Sequence, residues 1–260
     1  MARSASGSAD DSAAATGGGS WGEAQFVFID RLLATLVSLR HGTTHDVLAC
    51  WFGVDPSTLT RAIGEVRPLL AQRGCTVAPD VRLRTLAEVI EYLGVDGRTG
   101  IIDGTEIRVR RPAAGRKDRD KFRLRKDQAE RRCSANVQVI VDAYTCQVIA
   151  AAHPAPGTTA DAHAWRASGL AEHCQGATVL GDGAYLNCQM VVPHRKRPHR
   201  PLLPGEEADN AAHHKVRAQV EHVIGRMKNY KILRDCLQRG DGLHHAVQAV
   251  ALMHNLALAS

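Results

Sequence analysis

The stretch Ile101-Ile102-Asp103-Gly104-Thr105-Glu106-Ile107-Arg108-Val109 decides how the rest of the chain is read. β-branched residues dominate it, Ile107 and Val109 alternate with polar neighbours, and the breaker Pro112 follows. The pattern predicts a strand with an aspartate inside it. A second run, Ala177-Thr-Val-Leu-Gly181-Asp182-Gly183-Ala-Tyr185, reads as a short strand that stops at an aspartate between glycines, where backbone and ligand can approach closely. Taken singly, either aspartate is at least as well explained as an ordinary turn residue.

A third acid changes the balance. The tract from His214 to Lys228 reads as a helix in which Arg217 and Glu221 are four residues apart and Glu221 and Lys228 seven, so all three share one face. Val216, Val220, Val223, Met227 and Tyr230 form an apolar stripe on the neighbouring face, able to hold the helix against a core. By itself such a tract is most simply a solvated helix with intrahelical ion pairs. Alongside two acids at strand positions it fits an α/β sheet whose strand ends and helix converge on one crevice. Three carboxylates there suit a pair of hard divalent cations, since Mg²⁺ takes oxygen ligands and keeps waters for a phosphate to replace. Two such ions, about 3.5 to 4 Å apart, support in-line phosphodiester cleavage or transfer.

The surrounding segments complete the order of elements. Asn136–Val141 and Gln147–Ala152 read as adjacent strands joined by a polar turn at 142–146, forming an antiparallel meander with the Asp103 strand. Thr159 or Asp161 is expected to cap a helix running to about Leu170, with Asp161 lining the site as the alternative. Upstream, residues 1–20 are Ala, Ser, Gly and Asp with little to bury and are expected to be a disordered tail. Phe26 to Leu39 suggests an amphipathic helix. Thr44–Cys50, a Phe52-Gly53-Val54-Asp55 link and Pro56–Leu70 then read as helix, tight turn, helix, with Gly53 supplying a positive φ and Asp55 capping ahead of a first-turn proline. After a link at Gly74–Pro79, Leu83–Leu93 reads as one more helix.

The chain has 260 residues, 44% of them hydrophobic, with a formal net charge of +6, which favours a polyanionic partner. Clustering is sharper than the total: between Arg108 and Arg132 twelve Lys or Arg face four acids, and Arg195, Lys196, Arg197 and Arg200 form a second basic group. Seven cysteines form no Cys-x-x-Cys pair and read as reduced thiols. Adjacent histidines such as His213/His214 and His244/His245 point about 100° apart on a helix, which argues against zinc. No stretch has the roughly 20 apolar residues of a membrane span. The protein is expected to be cytoplasmic, with no membrane partner.

In sequence order, IIDGTEIRVRRP, NVQVIVDAYTCQVIAAAHPAPGTTAD, LGDGAYL, the spaced Arg217, Glu221 and Lys228 followed by NYKIL, and a closing ALMHNLAL together resemble the DDE transposases of bacterial insertion sequences. The nearest branch is the insertion-sequence five group, related to Harbinger-type nucleases, and the likeness covers roughly residues 45 to 258. It implies an α/β fold: a ribonuclease H-like mixed-sheet catalytic domain over residues 94–260, preceded by a small all-α helix-turn-helix domain over 21–93. It implies Asp103, Asp182 and Glu221 as the metal-binding catalytic triad for two Mg²⁺ ions, with Mn²⁺ as the substitute. Asp103 would bridge both ions, and Asp182 and Glu221 would complete one site each. Arg217 and Lys228 match the flanking cations of the family's signature. His214 stands at its tyrosine, and Asp182-Gly183-Ala184-Tyr185 replaces the more usual Asp-Lys-Gly-Tyr.

The expected partner is double-stranded DNA, at element ends and target, bound by a homodimer associated with the nucleoid. Ser57, Thr58, Thr60 and Arg61, with Arg67 beyond them, would face the major groove, although a helix-turn-helix also serves as a plain packing unit. Arg110, Arg111, Arg195, Lys196, Arg217 and Lys228 would meet phosphates. Two alternatives stand beside transposition: a relative that regulates by binding DNA without cutting it, and a stand-alone endonuclease.

Overall fold

The computed structural model describes residues 26–78, 81–83, 99–110, 133–168, 178–238 and 240–259. Its first part is helical: α1 (Phe28–His41), α2 (His45–Phe52) and α3 (Pro56–Arg73). Ala34, Leu48, Ala49, Leu59 and Ile63 are buried between them, and Phe26 meets Phe52 edge-on at 5.7 Å. The turn between α2 and α3 follows from its residues. Gly53 takes φ +65, a left-handed value that costs a glycine little, and Asp55 Oδ1 accepts from Ser57 N at 2.7 Å ahead of Pro56.

Beyond α3 the expected link is a strand. β1 (Cys75–Ala78) pairs antiparallel with β2 (Val81–Leu83), so the helix expected from Leu83 begins inside a hairpin, and the rest of it lies outside the described residues. The Thr76-Val77 pair favours extended backbone locally, which the reading of a bare link passed over.

The second part is a mixed sheet of β3 (Thr99–Val109), β4 (Cys133–Asp142), β5 (Val148–Ala151), β6 (Ala155–Pro156), β7 (Thr178–Leu180) and β8 (Asp235–Cys236). Its order is β5-β4-β3-β7, with β6 on β4 and β8 on β3. The expected meander β3-β4-β5 is antiparallel, while β7 and β8 join β3 in parallel. Every residue of β4 is buried, as a central strand covered on both faces must be. Asp142 turns the chain into β5 by accepting from Tyr144 N and Thr145 N, each at 2.8 Å.

Strand alternation sorts the two faces. Ile101, Ile107, Val137, Val139 and Val141 pack against α5 (Pro204–Met227) and α6 (Gly242–Ala259) through Val220, Val223, Met227, Ala246, Val247 and Val250. Ile102, Ile140 and Ile149 pack on the other side with Trp165 of α4 (Asp161–Ala167) and Tyr185. This is the α/β, ribonuclease H-like arrangement with helices on both faces of a mixed sheet. The helical module joins the core through Leu39 and Leu70, and Arg40 lies over the Tyr230 ring at 5.0 Å.

The outer edge of β5 is closed by a side chain. Asn255 of α6, 1% exposed, accepts from Val148 N and donates to Val148 O, both at 2.8 Å, as a neighbouring strand would. Asn255→Ala strands both buried backbone groups. It should lower unfolding free energy by about 2 to 4 kcal/mol, read as a reduced urea midpoint at unchanged slope.

Candidate active site

Asp103 sits in the middle of β3, opposite Val139 of β4, and therefore on the face covered by α5 and α6. On the free edge of β3, β7 pairs only at 99–101 and β8 only at 108–109. The backbone between those bridges borders an opening, and Asp182 emerges there, two residues after β7 ends. Asp182 is half-buried, and its Oδ1 accepts from Ala184 N at 2.8 Å, capping the 3₁₀ turn Gly183–Tyr185.

The third acid comes from α5. Val220, Val223 and Met227 bury the stripe read from the sequence, with Val216 and Tyr230 packed at its ends. This turns Arg217 and Glu221 towards β3. Arg217 Nη2 lies 3.4 Å from Asp103 Oδ2 and 4.0 Å from Glu221 Oε1. The Arg217 side chain is 12% exposed, that of Asp103 21% and that of Glu221 55%. Arg217 Nε is buried and finds no acceptor among the described residues. Lys228 is the C-cap of α5 rather than part of it, and feels the charges of Glu106 and Asp103. Burial lowers its pKa, so its ammonium is held near the site at a desolvation cost.

Electrostatics link the acids. Burial is the main cause that raises the Asp103 pKa to about 6; Arg217 and the Gly104 N–H oppose it, and the charges of Asp182 and Glu221 push it further up. Both remaining acids are thus close enough to repel Asp103. Tyr185 is raised above its usual range, first by burial and then by Asp161, Asp103 and Asp182. Among the described residues no three His, Cys, Asp or Glu groups gather closely enough to ligate one ion. Like charges in a half-buried crevice spread apart, with one arginine standing between two of them. The donor set still suits a hard cation, because it is all oxygen and carries more negative charge than Arg217 balances.

The other expected contacts divide into groups. Ser57, Thr60 and Arg61 are exposed on the first half of α3 and Thr58 is half-exposed, while Thr60 Oγ1 is engaged with Pro56 O at 2.8 Å and His45 Nδ1 at 2.8 Å. Arg67 does not continue that surface; it turns towards the start of α6 at Gly242 and is half-buried, with its pKa lowered by desolvation. Arg110 is exposed directly after β3, whereas Arg111 lies outside the described residues with most of the basic run. Arg195 and Lys196 are exposed on a loop pinned to α5: His194 N donates to Asn210 Oδ1 at 2.7 Å, Asn210 Nδ2 donates back to His194 O at 3.0 Å, and Arg200 pairs with Glu206 at 2.8 Å.

Asp161 departs from its expected role. The α4 N-cap is Ala160, with no side-chain cap, and Asp161 Oδ1 instead accepts from Asn136 Nδ2 at 2.6 Å. Asn136 and Gln138 read as strand residues and nothing more; their signal was two amides at alternate positions of an otherwise apolar central strand.

The family model described as DDE superfamily endonuclease matches residues 102–255, and that described as helix-turn-helix of DDE superfamily endonuclease matches residues 27–76. The chain belongs to the DDE superfamily endonucleases. A relative from Streptomyces albus G, named "Putative transposase for insertion sequence element IS112", is 36% identical over 231 residues, covering 88% of this chain and 80% of that relative. No solved structure matches. The helix-turn-helix and endonuclease segments together imply DNA as the partner of this DDE protein, and endonucleases of the superfamily generally use divalent metals. No described helix is long and apolar enough to cross a membrane.

The raised Asp103 pKa carries a sign. Because the folded chain holds this proton more tightly than the unfolded chain, stability falls as pH rises from 3.8 to about 6 and stays reduced above that window. In EDTA, Asp103→Asn should therefore be more stable than wild type at pH 8, by about 3 kcal/mol for a shift of this size, and the gain should vanish near pH 3.5. Thermal unfolding at the two pH values checks it.

Proposed function

We propose that this chain is a DNA transposase: it nicks DNA at the ends of an insertion sequence with water and then joins the freed 3′-hydroxyl to target DNA. The single observation that carries the reading is Asp103, half-buried on β3 yet repelled by both Asp182 and Glu221, with Arg217 against it. Asp103, Asp182 and Glu221 are the residues that would hold two divalent cations, Mg²⁺ or Mn²⁺. Bound there, such ions supply an activated oxygen nucleophile and stabilise the leaving oxygen.

The chain's own residues have separate tasks. Arg217 opposes, by its nearby positive charge, the burial that raises the Asp103 pKa. Lys228, which caps α5 and feels the charges of Glu106 and Asp103, would meet a substrate phosphate, as would Arg217 once it leaves the carboxylates. Ser57, Thr58, Thr60 and Arg61 would contact the major groove, and Arg110, Arg111, Arg195 and Lys196 the phosphates of flanking DNA. The helical unit would extend to about residue 93 and the catalytic unit from there. Bringing two DNA ends together would call for a homodimer.

Wild type should nick supercoiled plasmid in Mg²⁺ or Mn²⁺ and lose the activity in EDTA. Asp182→Asn should nick at least about a hundredfold more slowly, and equal nicking by both proteins would remove the triad from the reaction. Joining of pre-cut ends to a target separates a transposase from a nuclease that only cuts. A wild type that binds DNA, takes up no divalent ion in calorimetry and never nicks would instead be a regulator.

Binding should also be salt dependent. Lys196→Gln should weaken DNA binding alike on all sequences and flatten the plot of log affinity against log salt by about one unit. Fluorescence anisotropy across a salt series checks this. An unchanged slope would take Lys196 off the phosphate path.

A further inference from the structure

The face of β3 away from Asp103 holds a polar network that the function above leaves unused. Register pairs Gly104 with Gln138 and Glu106 with Asn136, so both amides point towards α4. Asn136 Nδ2 donates to Asp161 Oδ1 at 2.6 Å and to Thr159 O at 3.3 Å. Gln138 Nε2 donates to Asp161 O at 2.7 Å and to Tyr185 Oη at 3.3 Å. Both amide nitrogens thus have carbonyl or carboxylate acceptors, which fixes their orientation. Asn136, Gln138 and Tyr185 are 5%, 2% and 1% exposed.

This network touches the backbone of both aspartates. On the Asp103 side, a Cβ at Gly104 would lie 2.5 Å from Asp161 Oδ1 and 3.2 Å from Asn136 Oδ1, so the carboxylate rests directly against a residue with no room for a side chain. The N–H of that glycine donates to Asp103 Oδ1 at 2.9 Å. On the Asp182 side, Tyr185 ends the 3₁₀ turn that Asp182 caps, and its hydroxyl is held by Gln138. One set of side chains, seated on β4 and the start of α4, therefore buttresses two segments that are far apart in sequence.

We propose that Asp161 is a positioning residue: its side chain, seated by Asn136, fixes the Asp103–Gly104 peptide against β4, while Gln138, bonded to the Asp161 main-chain carbonyl, holds Tyr185 and the turn that bears Asp182, and so sets the spacing of the two aspartates. It touches neither substrate nor ion. Its part is shape, because the oxygen that Asn136 bonds is the one that meets Gly104. This rests on the reading of Asp103 and Asp182 as metal-holding residues.

The test is calorimetric titration of the full chain with Mn²⁺ alone, with thermal unfolding in EDTA as the control for folding. Asp161→Ala should weaken Mn²⁺ binding at least tenfold. Asp161→Asn, which keeps the bonded oxygen, should stay within threefold of wild type. Gly104→Ala should weaken binding, and the double variant G104A/D161A should be no weaker than D161A, because the added Cβ then has no carboxylate to meet. Wild-type affinity in D161A would overturn the proposal. So would multiplied effects in the double variant, or an Asn variant as weak as the Ala one, which would make Asp161 a charged ligand. If D161A does not fold, G104A decides: wild-type affinity there overturns the proposal. Asp103→Asn separates the two levels: undiminished Mn²⁺ binding in it defeats the metal reading and this inference together, whereas a loss in D103N beside wild-type affinity in D161A defeats this inference alone.

Discussion

A carboxylate placed in the interior of a central strand is the constraint around which this molecule is arranged. Asp103 lies between Ile102, which is fully buried, and Gly104, and burial is the main cause that drives its proton affinity up. An ionised group there needs an opposite charge within a few ångströms, and Arg217 supplies it at 3.4 Å. Arg217 reaches that place only because α5 is fixed in rotation and height by Val220, Val223 and Met227. The same rotation brings Glu221, one turn on, to the rim. Hydrophobic packing on one stripe of a helix thus decides the electrostatics on the next.

The sheet contributes an incomplete edge. A strand paired along its whole length on both sides would have no room for a ligand beside Asp103. Here β7 covers three residues of β3 and β8 two, on the same edge, and the segment between them is left for the crevice. The end of a parallel strand beside an unpaired stretch of its neighbour is where α/β folds place ligands. Asp182 arises at that point because β7 is short, and β7 is short because Gly181 and Asp182 turn the chain into a 3₁₀ turn.

Much of this was legible in the sequence, for identifiable reasons. The Asp103 strand, the meander and the α5 stripe follow from periodicity, which burial enforces strictly in a central strand and an amphipathic helix. The cap at Asp55 and the turn at Gly53 follow from local chemistry and hold. What escaped depends on tertiary contact. Asp161 looked like a helix cap, since Asp near a helix start usually is one, but the amide of Asn136 competes for its oxygen across 25 residues of chain. Arg67 looked like part of an exposed face because helical periodicity does not show what packs on the outer side of α3. The β1-β2 hairpin is too short to show a period. Convergence of the three acids was inferred from two strand-end positions, one helix face and the family resemblance; among the described residues no three acidic groups gather closely enough to hold one ion.

The placement of Arg67 bears on how the two parts of the molecule work together. α3 divides along its length: its first half carries Ser57, Thr60 and Arg61 on an exposed surface, and in its second half Val66, Arg67 and Leu70 are turned inward. Leu70 packs into the same core as Val220 and Val247, and Arg67 approaches Gly242 at the start of α6. One continuous helix therefore joins the proposed DNA-reading surface to the core that holds Glu221. An α-helix of 18 residues is about 27 Å long at 1.5 Å per residue, enough to set a groove contact well away from the crevice while fixing their relative direction. A flexible tether would leave the distance between the proposed groove contact and the crevice to chance; a shared helix makes it a property of the fold.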